Sequence, residues 1–258
     1  MVKLKNYNVV LKHFVLLLTF ITVISCAEKK YVVTKIEGKE IGITDKNYEV
    51  AELESFIKPY RDRIDEDLNK VLANAPETLD KSGQWQTSMG NFLADITFET
   101  ADKVFYMREK KSLDICLLNH GGIRSIIPKG NVTARTAYEV MPFENTAIVI
   151  ALKGEQILEI VNYILSEKKP HPLKGLTFTI DKNNQPKDIL VKGSPVDSNK
   201  IYYVVTSDYL SNGGDNMLFF KKGVAQYDLE YKLRNIIIDY FKENKTITAN
   251  KDIRITKE

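Results

Sequence analysis

The chain has 258 residues, of which 43% are hydrophobic and 28% are charged. These fractions are typical of a folded globular protein and exclude a disordered, collagen-like or coiled-coil chain. The formal net charge is +3, and three of the 37 basic residues are lysines within the first 25 positions, where no acidic residue occurs. The remaining chain is therefore neutral, which leaves no electrostatic basis for binding nucleic acid.

The first 25 residues have the pattern of a bacterial export signal. Three lysines precede an apolar run at residues 14–25, which is too short to span a bilayer. Cys26 follows the small residue Ser25, as in a lipoprotein lipobox. We therefore predict that residues 1–25 are a lipoprotein signal peptide and that Cys26 carries lipid. The protein would then be exported and anchored to a bacterial membrane, on the periplasmic side or at the cell surface. The alternative is an unmodified cysteine at the end of a signal or anchor.

Residues 26–50 are predicted to form a tether, with a possible hairpin that turns at Glu37-Gly38-Lys39 between β-branched runs. Residues 51–258 are predicted to form one domain, because no linker rich in proline, glycine or serine interrupts them. A helical period of apolar residues runs from 52 to 73, where Asn74-Ala75-Pro76 would stop the helix.

Further along the chain, helical and extended patterns alternate. Helices are predicted at 88–107, 133–140, 154–165 and 228–241. Strands are predicted at 113–118, 147–152, 175–180, 188–191, 202–206 and 253–255. This order predicts an α+β (mixed α/β) fold, a single domain in which helices flank a mixed β-sheet. Cys116 lies within an apolar run, where a buried and inert thiol is expected.

The loop after the first of these strands reads Asn119-His120-Gly121-Gly122-Ile123-Arg124. Its two glycines allow the backbone to approach a ligand closely. Arg124 can present a planar fork to a phosphate or carboxylate, and Asn119 can donate from its amide. The alternative is a tight turn followed by a surface arginine.

A second loop, Met141-Pro142-Phe143-Glu144-Asn145, places an aromatic side chain outside the regular elements. Pro142 restricts the backbone before Phe143. An aromatic residue in such a loop either offers a face on which a flat ligand stacks or caps the hydrophobic core, and the second use is the commoner one.

A third loop follows the strand at 202–206 and contains Tyr209 and the run Asn212-Gly213-Gly214-Asp215. The Asp215 carboxylate can accept hydrogen bonds from two sugar hydroxyls. The alternative is a plain Asn-Gly-Gly-Asp turn. Taken together, the three loops predict a site for an anionic sugar with a flat base. Phe143 and Tyr209 would stack on the ring, Asp215 would hold the sugar, and Asn119 and Arg124 would meet the anion.

These three loops, together with Met89-Gly90-Asn91-Phe92-Leu93-Ala94-Asp95, resemble the C-terminal domain of the 5′-nucleotidase family in sequence and order. The resemblance implies that Phe143 and Tyr209 stack on the base and that Asp215 binds the ribose. It also implies that Asn119 and Arg124 approach the phosphate. Further residues expected beside the substrate are His120, Gly121, Gly122, Asn212, Gly213 and Gly214. Gly90, Asn91 and Asp95 are expected to be structural.

Some positions depart from the family pattern. Residues 83–88 contain no arginine, Gln86 stands where a glutamate is usual, and Asn216 replaces a glycine. The missing arginine suggests that one phosphate contact is absent.

In the family, a separate N-terminal domain carries a dinuclear metallophosphatase centre. Such a centre needs several His, Asp and Asn ligands. The present chain has three histidines and no Asp-x-His, Gly-Asn-His or His-x-His motif. We therefore expect no metal or other cofactor in this chain, and divalent metals in a partner metallophosphatase.

Three functional hypotheses follow. The favoured one is the nucleotide-recognition half of a split 5′-nucleotidase, which acts with a separate metallophosphatase chain in the hydrolysis of nucleoside phosphates. The alternative is a stand-alone lipoprotein that binds nucleoside monophosphates or nucleosides for scavenging. The third is a structural or interaction lipoprotein on a retired scaffold, against which the combination of Arg124, Phe143, Tyr209 and Asp215 argues.

Overall fold

The computed structural model describes residues 7–24, 31–44 and 50–258, in two compact units, Met1–Ala51 and Glu52–Glu258. The first unit contains helix α1 (Tyr7–Ile24). No helix in the described ranges is both long and apolar enough to cross a bilayer. Cys26 and the predicted cleavage point lie outside these ranges.

Residues 31–44 have no regular secondary structure, so the predicted hairpin around Gly38 is wrong for these residues. The apolar side chains Tyr31, Val33 and Ile36 are 80–93% exposed. An isolated two-stranded hairpin is marginal in water, and the exposure of these side chains means that a hairpin here would have no buried apolar face.

The rest of the chain forms the following elements. The helices are α2 (Ala51–Asn69), α3 (Ser88–Glu109), α4 (Ala134–Val140), α5 (Gly154–Glu167), α6 (Asp208–Ser211) and α7 (Leu233–Glu243). The strands are β1 (Val71–Ala75), β2 (Ile115–Leu117), β3 (Gly130–Thr133), β4 (Thr146–Lys153), β5 (Leu173–Lys174), β6 (Leu176–Ile180), β7 (Pro186–Val191), β8 (Ser194–Pro195), β9 (Ile201–Ser207), β10 (Ala225–Lys232) and β11 (Ile255–Lys257).

The predicted α+β fold with a mixed sheet is confirmed. The central sheet has the strand order β10-β4-β9-β2-β5, in which only β2 and β9 run parallel. Two further sheets, β11-β6-β7-β8 and β1-β3, accompany the central sheet in the described structure. Gly175 explains part of this division. Its positive φ of 82° turns the chain out of the central sheet between β5 and β6.

The central sheet is buried on both faces. Along β2, Cys116 faces a core that α3 and α7 cover, whereas Ile115 and Leu117 face a core shared with α5 and the four-stranded sheet. A strand buried on both sides reads as a continuous apolar run, which is why the sequence signal for these strands is strong. Complete burial also raises the pKa of the Cys116 thiol, as expected for an inert cysteine.

The predicted helix at 52–73 is too long. Helix α2 ends at Asn69, and Val71–Ala75 pairs with β3 as an antiparallel strand. No residue of α2 is buried, and its apolar stripe is exposed to solvent. The apolar residues of 71–73 fit the helical period only by chance, because the pairing of this segment with β3 makes it a strand. The stripe consists of Leu53, Phe56, Ile57, Tyr60 and Ile64.

The predicted helix at 228–241 starts too early. Residues up to Lys232 belong to β10, which pairs with β4, and the helix begins at Leu233. Tyr227, Leu229 and Tyr231 are the more buried residues of this strand and alternate with exposed ones. This period of two indicates a half-buried strand, and it was masked by the helical period that follows.

The start of α3 has the structural role that the resemblance implied. The Gly90 N–H donates to the Thr87 hydroxyl at the helix N-cap, at 2.8 Å. The Asn91 amide donates to the Asn250 carbonyl at 3.0 Å. Asp95 pairs with the buried Arg254 at 2.5 Å, so these residues fasten the C-terminal segment to the helix.

Candidate functional site

The three candidate loops meet at one edge of the central sheet because of the strand directions. Strands β2 and β9 are parallel, so the loops that follow Leu117 and Ser207 leave the sheet at the same edge. Strand β4 is antiparallel to β9, so the loop that precedes Thr146 arrives there as well. Ligands of α/β sheets commonly bind beyond the carboxyl ends of parallel strands.

These loops enclose a cleft of about 610 Å³. Five predicted substrate-binding residues line it: Asn119, Arg124, Phe143, Tyr209 and Asp215. Gly121 and Gly122 line it as well. An adjoining concavity of about 560 Å³ shares Asn145, Asp208 and Tyr209 with the cleft and is completed by Asn212, Gly213 and Gly214.

His120 differs from its neighbours in the first loop, because it lines neither concavity. Its backbone N–H donates to the Nδ1 atom of His171 at 3.2 Å. The structure therefore brings together every predicted site residue except His120 around the two concavities. Which of them contacts a ligand stays a prediction.

The two aromatic side chains of the cleft remain accessible. Phe143 is 42% exposed and Tyr209 is 48% exposed. The Arg124 guanidinium lies 6.0 Å from the Phe143 ring centroid and donates to the Gly121 carbonyl at 3.3 Å. A distance of 6.0 Å is at the outer limit of a cation–π interaction, so the attraction between Arg124 and the Phe143 ring is weak. The Arg124 guanidinium therefore stays available to an anionic group at the cleft.

Asp215 links the first and third loops. One carboxylate oxygen accepts a hydrogen bond from the Asn119 amide at 2.7 Å, and the other accepts one from the Tyr209 hydroxyl at 2.8 Å. The Asn119 amide is therefore engaged with Asp215, the residue expected to bind the sugar, and the approach of Asn119 to the phosphate stays a prediction.

Three further residues line the cleft and were not singled out in the sequence: Glu144, Asn145 and Asp208. The Asn145 amide donates to Asp208 at 2.6 Å, which ties the second loop to the third. Hydrogen bonds from Lys232 and Arg234 lower the pKa of Glu144 to about 2. All three lie within two residues of a predicted aromatic residue, and this position was the only signal that the sequence contained.

His171 is buried behind the first loop. Desolvation lowers its pKa to about 4, because the charged imidazolium is unfavourable away from water. Protonation at Nδ1 would also remove the acceptor of the His120 N–H. The charged or titratable groups that act on His171 are Glu167, His120, Lys169 and Asp215.

This burial predicts a pH dependence of stability. An unfolded histidine has a pKa of about 6.5, so between that pH and about 4 the unfolded chain binds more protons than the folded one. The free energy of unfolding should therefore fall as the pH is lowered from about 7 to about 5, with a slope that approaches about 1.4 kcal/mol per pH unit. Urea titrations of wild type and His171→Gln across this range measure it. In the variant, the slope of unfolding free energy against pH should be smaller by up to about 1.4 kcal/mol per pH unit, the value for one proton. Equal slopes in the two proteins would contradict the prediction.

The described residues contain no group of three or more His, Cys, Asp or Glu side chains placed to share a metal ion. The polar groups at the cleft are instead donors from an arginine, amides and a tyrosine hydroxyl, and carboxylates that already accept hydrogen bonds from other side chains. Such a set suits hydrogen bonding to a polar organic ligand.

Comparison with known proteins identifies the family of this chain. A family model described as the 5′-nucleotidase C-terminal domain matches residues 70–222, more than half of the chain. The chain belongs to the 5′-nucleotidase C-terminal domain family. The matched residues include all three loops of the cleft. The region that the family model describes is therefore the region that contains the cleft.

Several curated relatives are longer than this chain. Identity is 23% over 232 residues with an apyrase of Tabanus yao and 24% over 223 residues with the human 5′-nucleotidase. These matches cover 80% and 76% of the chain but 41% and 38% of the two relatives. Identity with the trifunctional nucleotide phosphoesterase protein YfkN of Bacillus subtilis is 30% over 172 residues, which is 61% of the chain and 11% of YfkN. The chain thus spans less than half the length of these relatives.

Solved structures show the same fold. The 5′-nucleotidase precursor of Thermus thermophilus superposes with a TM-score of 0.66 at 27% identity, over 80% of this chain and 42% of that one. The NAD nucleotidase of Haemophilus influenzae gives a TM-score of 0.61 at 18% identity, over 81% and 42% of the two chains. At 18% identity, the likeness to the Haemophilus influenzae structure concerns the fold alone.

Proposed function

We propose that this chain is the nucleotide-recognition half of a split 5′-nucleotidase and that its ligand is a nucleoside monophosphate or nucleoside. The cleft that combines two exposed aromatic rings with Asp215 and Arg124 is the observation that carries this proposal. A flat base stacks on aromatic faces with little preference among bases, so the proposal extends to several nucleotides.

Each side chain has a role that follows from its chemistry. Phe143 and Tyr209 hold the base by stacking, and Asp215 accepts hydrogen bonds from the sugar hydroxyls. Arg124 meets the phosphate, for which its planar guanidinium is suited. The chain thereby contributes orientation and binding energy remote from the bond that is cleaved.

The reaction is hydrolysis of the phosphate ester, and a separate metallophosphatase chain completes the active site. Divalent metals held by that partner would supply an activated water and charge that stabilises the transferred phosphoryl group. The proposal is supported by the match of residues 70–222 to the C-terminal domain of the family.

The decisive experiment combines the protein with an exported metallophosphatase from the same genome that lacks this domain. AMP hydrolysis by the mixture should exceed the sum of the separate activities, and Asp215→Ala should abolish the gain. If the mixture is no more active than its parts, the split arrangement is refuted.

A stand-alone binding protein for nucleotide scavenging is the second candidate, and it is favoured by the formation of the whole cleft within one chain. Calorimetry without a partner separates the two functions. A recognition half should bind AMP weakly, with a Kd of about 10 µM to 1 mM, because one aromatic clamp and a few polar contacts supply little surplus over the cost of association. Much tighter binding without a partner would favour scavenging.

Replacing Phe143 tests the stacking role. Phe143→Ala should weaken AMP binding by about 1–3 kcal/mol, the usual worth of stacking one base on an aromatic ring. Calorimetry measures the change. Tyr106→Ala is a matched control, because Tyr106 is 54% exposed on α3 and lies outside the cleft. Equal affinities of Phe143→Ala and wild type would exclude a stacked base at this position.

The proposal also includes export and lipid attachment at Cys26, which would hold the protein at a membrane through two or three acyl chains. Metabolic labelling with a fatty acid tests it. Label should enter wild type and be absent from Cys26→Ser, and label in both or in neither would reject the assignment.

A further inference from the structure

Asp215 is held in place by an unusually complete set of hydrogen bonds. Besides the bonds from Asn119 and Tyr209 to its carboxylate, its backbone N–H donates to the Tyr209 hydroxyl oxygen at 3.2 Å. Its carbonyl accepts from the Tyr163 hydroxyl at 2.8 Å. The residue has a positive φ of 50°, which costs energy in a residue other than glycine. The surrounding contacts therefore determine its conformation.

The Tyr209 hydroxyl is the centre of this arrangement, because it both donates to the Asp215 side chain and accepts from the Asp215 backbone. The Tyr209 ring packs against Gly214, where a Cβ atom would lie only 2.5 Å from the ring. The backbone at Gly214 therefore fixes the position of the ring, and the hydroxyl of that ring in turn holds the neighbouring residue Asp215. A phenylalanine here would keep the ring but lose both hydrogen bonds.

The carboxylate retains capacity for a ligand. An ionised carboxylate offers about four acceptor positions, and the two protein donors occupy one on each oxygen. Asp215 is exposed and lines the cleft, so the remaining positions are accessible. Two adjacent hydroxyls, as in a ribose 2′,3′-diol, match two acceptor positions that are held in a fixed orientation.

We propose that Tyr209, beyond any stacking, is a positioning residue that orients Asp215 and thereby makes recognition depend on the ribose diol. This inference rests on the proposed nucleoside-binding function. It assigns the hydroxyl of Tyr209, and the amide of Asn119 as a second donor, to selection of ribonucleosides over analogues that lack the diol. Without these donors the carboxylate samples other orientations, and part of the binding energy is spent on ordering it.

Calorimetry with adenosine and 2′,3′-dideoxyadenosine tests the inference, because both ligands carry the same base. Tyr209→Phe should weaken adenosine binding about five- to tenfold and change dideoxyadenosine binding less than about twofold, since the ring that stacks is retained. Asn119→Ala should show the same adenosine-specific loss. This second variant keeps the test valid if Tyr209→Phe folds poorly.

The matched control is Tyr231→Phe. Tyr231 donates to Asp239 at 2.6 Å, so this variant also loses a tyrosine–aspartate hydrogen bond, but neither residue lines the cleft. Its affinities for both ligands should equal those of wild type. A loss of adenosine binding in this control would show that removing any buried or bonded tyrosine hydroxyl weakens binding, whether or not it contacts Asp215.

The outcomes separate the inference from the function on which it rests. Equal losses for both ligands in Tyr209→Phe, or no loss for adenosine, would overturn the positioning role while nucleoside binding stands. Equal affinity of wild type for the two ligands would likewise exclude dependence on the diol. A wild-type protein that binds neither adenosine nor AMP would refute the proposed function together with this inference.

Discussion

An Arg254→Ala variant is expected to lose about 3–5 kcal/mol of unfolding free energy, the typical cost of removing one partner from a buried ion pair. Arg254 is 5% exposed and donates to Asp95 on α3 and to the Leu173 carbonyl on β5, each at 2.5 Å. Its loss would leave the Asp95 carboxylate with Lys174 as its remaining ion-pair partner. Urea unfolding followed by the fluorescence of Trp85, the single tryptophan, measures the change.

A nearby exposed pair supplies the control. Lys187 and Glu258 form a salt bridge in which both side chains are about two-fifths exposed to solvent. Surface pairs contribute little, so Lys187→Ala should unfold at the same urea concentration as wild type. If both variants behave alike, the buried pair does not fasten the C-terminal segment to the domain as the structure suggests.

A Gly214→Ala variant is expected to lose about five- to 150-fold in nucleoside affinity, because stacking of one base is worth about 1–3 kcal/mol. The added Cβ would lie 2.5 Å from two atoms of the Tyr209 ring, closer than carbon atoms can approach. The ring must move, and its hydrogen bond to Asp215 is broken with it. Calorimetry with adenosine measures the loss, and the unfolding curve verifies that the fold persists.

Gly38→Ala is the matched glycine substitution outside the cleft. A Cβ at this position would meet no heavy atom within 4 Å, and Gly38 does not line the cleft. Adenosine affinity should therefore remain within about twofold of wild type, since no neighbour has to move. Wild-type affinity in Gly214→Ala would show that the position of the Tyr209 ring does not matter for binding.

The elements that the sequence predicted well are those with strong local signals. Helix α3 begins one residue after Thr87, whose side chain caps it, and α5 begins at Gly154 as predicted. Strands β4 and β9 were recognised because both faces of the central sheet are buried, which produces unbroken apolar runs. In these segments, local preference and tertiary environment favour the same conformation.

The errors fall where pairing with distant residues decides the conformation. Val71–Ala75 becomes a strand because β3 lies beside it, and the segment up to Lys232 becomes a strand because β4 does. A helical period in the neighbouring residues concealed both. Local propensity is a weak preference, and the hydrogen bonds of a sheet ladder outweigh it over four or five residues.

For the candidate site, the residue types alone determined much. An arginine and glycines in one loop, an aromatic residue in another, and an aromatic residue with an aspartate in a third were sufficient to predict a site for a flat, polar ligand. Their order along the chain carried the resemblance to the family, and the match of residues 70–222 confirms it.

Only the tertiary structure decided how these groups are arranged. The parallel pairing of β2 with β9 and the antiparallel pairing of β4 bring the three loops to one sheet edge. That arrangement places Asn119 and Tyr209 on the two oxygens of Asp215 and leaves His120 outside the cleft. The reason is physical: a hydrogen bond between residues 96 positions apart depends on strand register, which no local sequence pattern encodes.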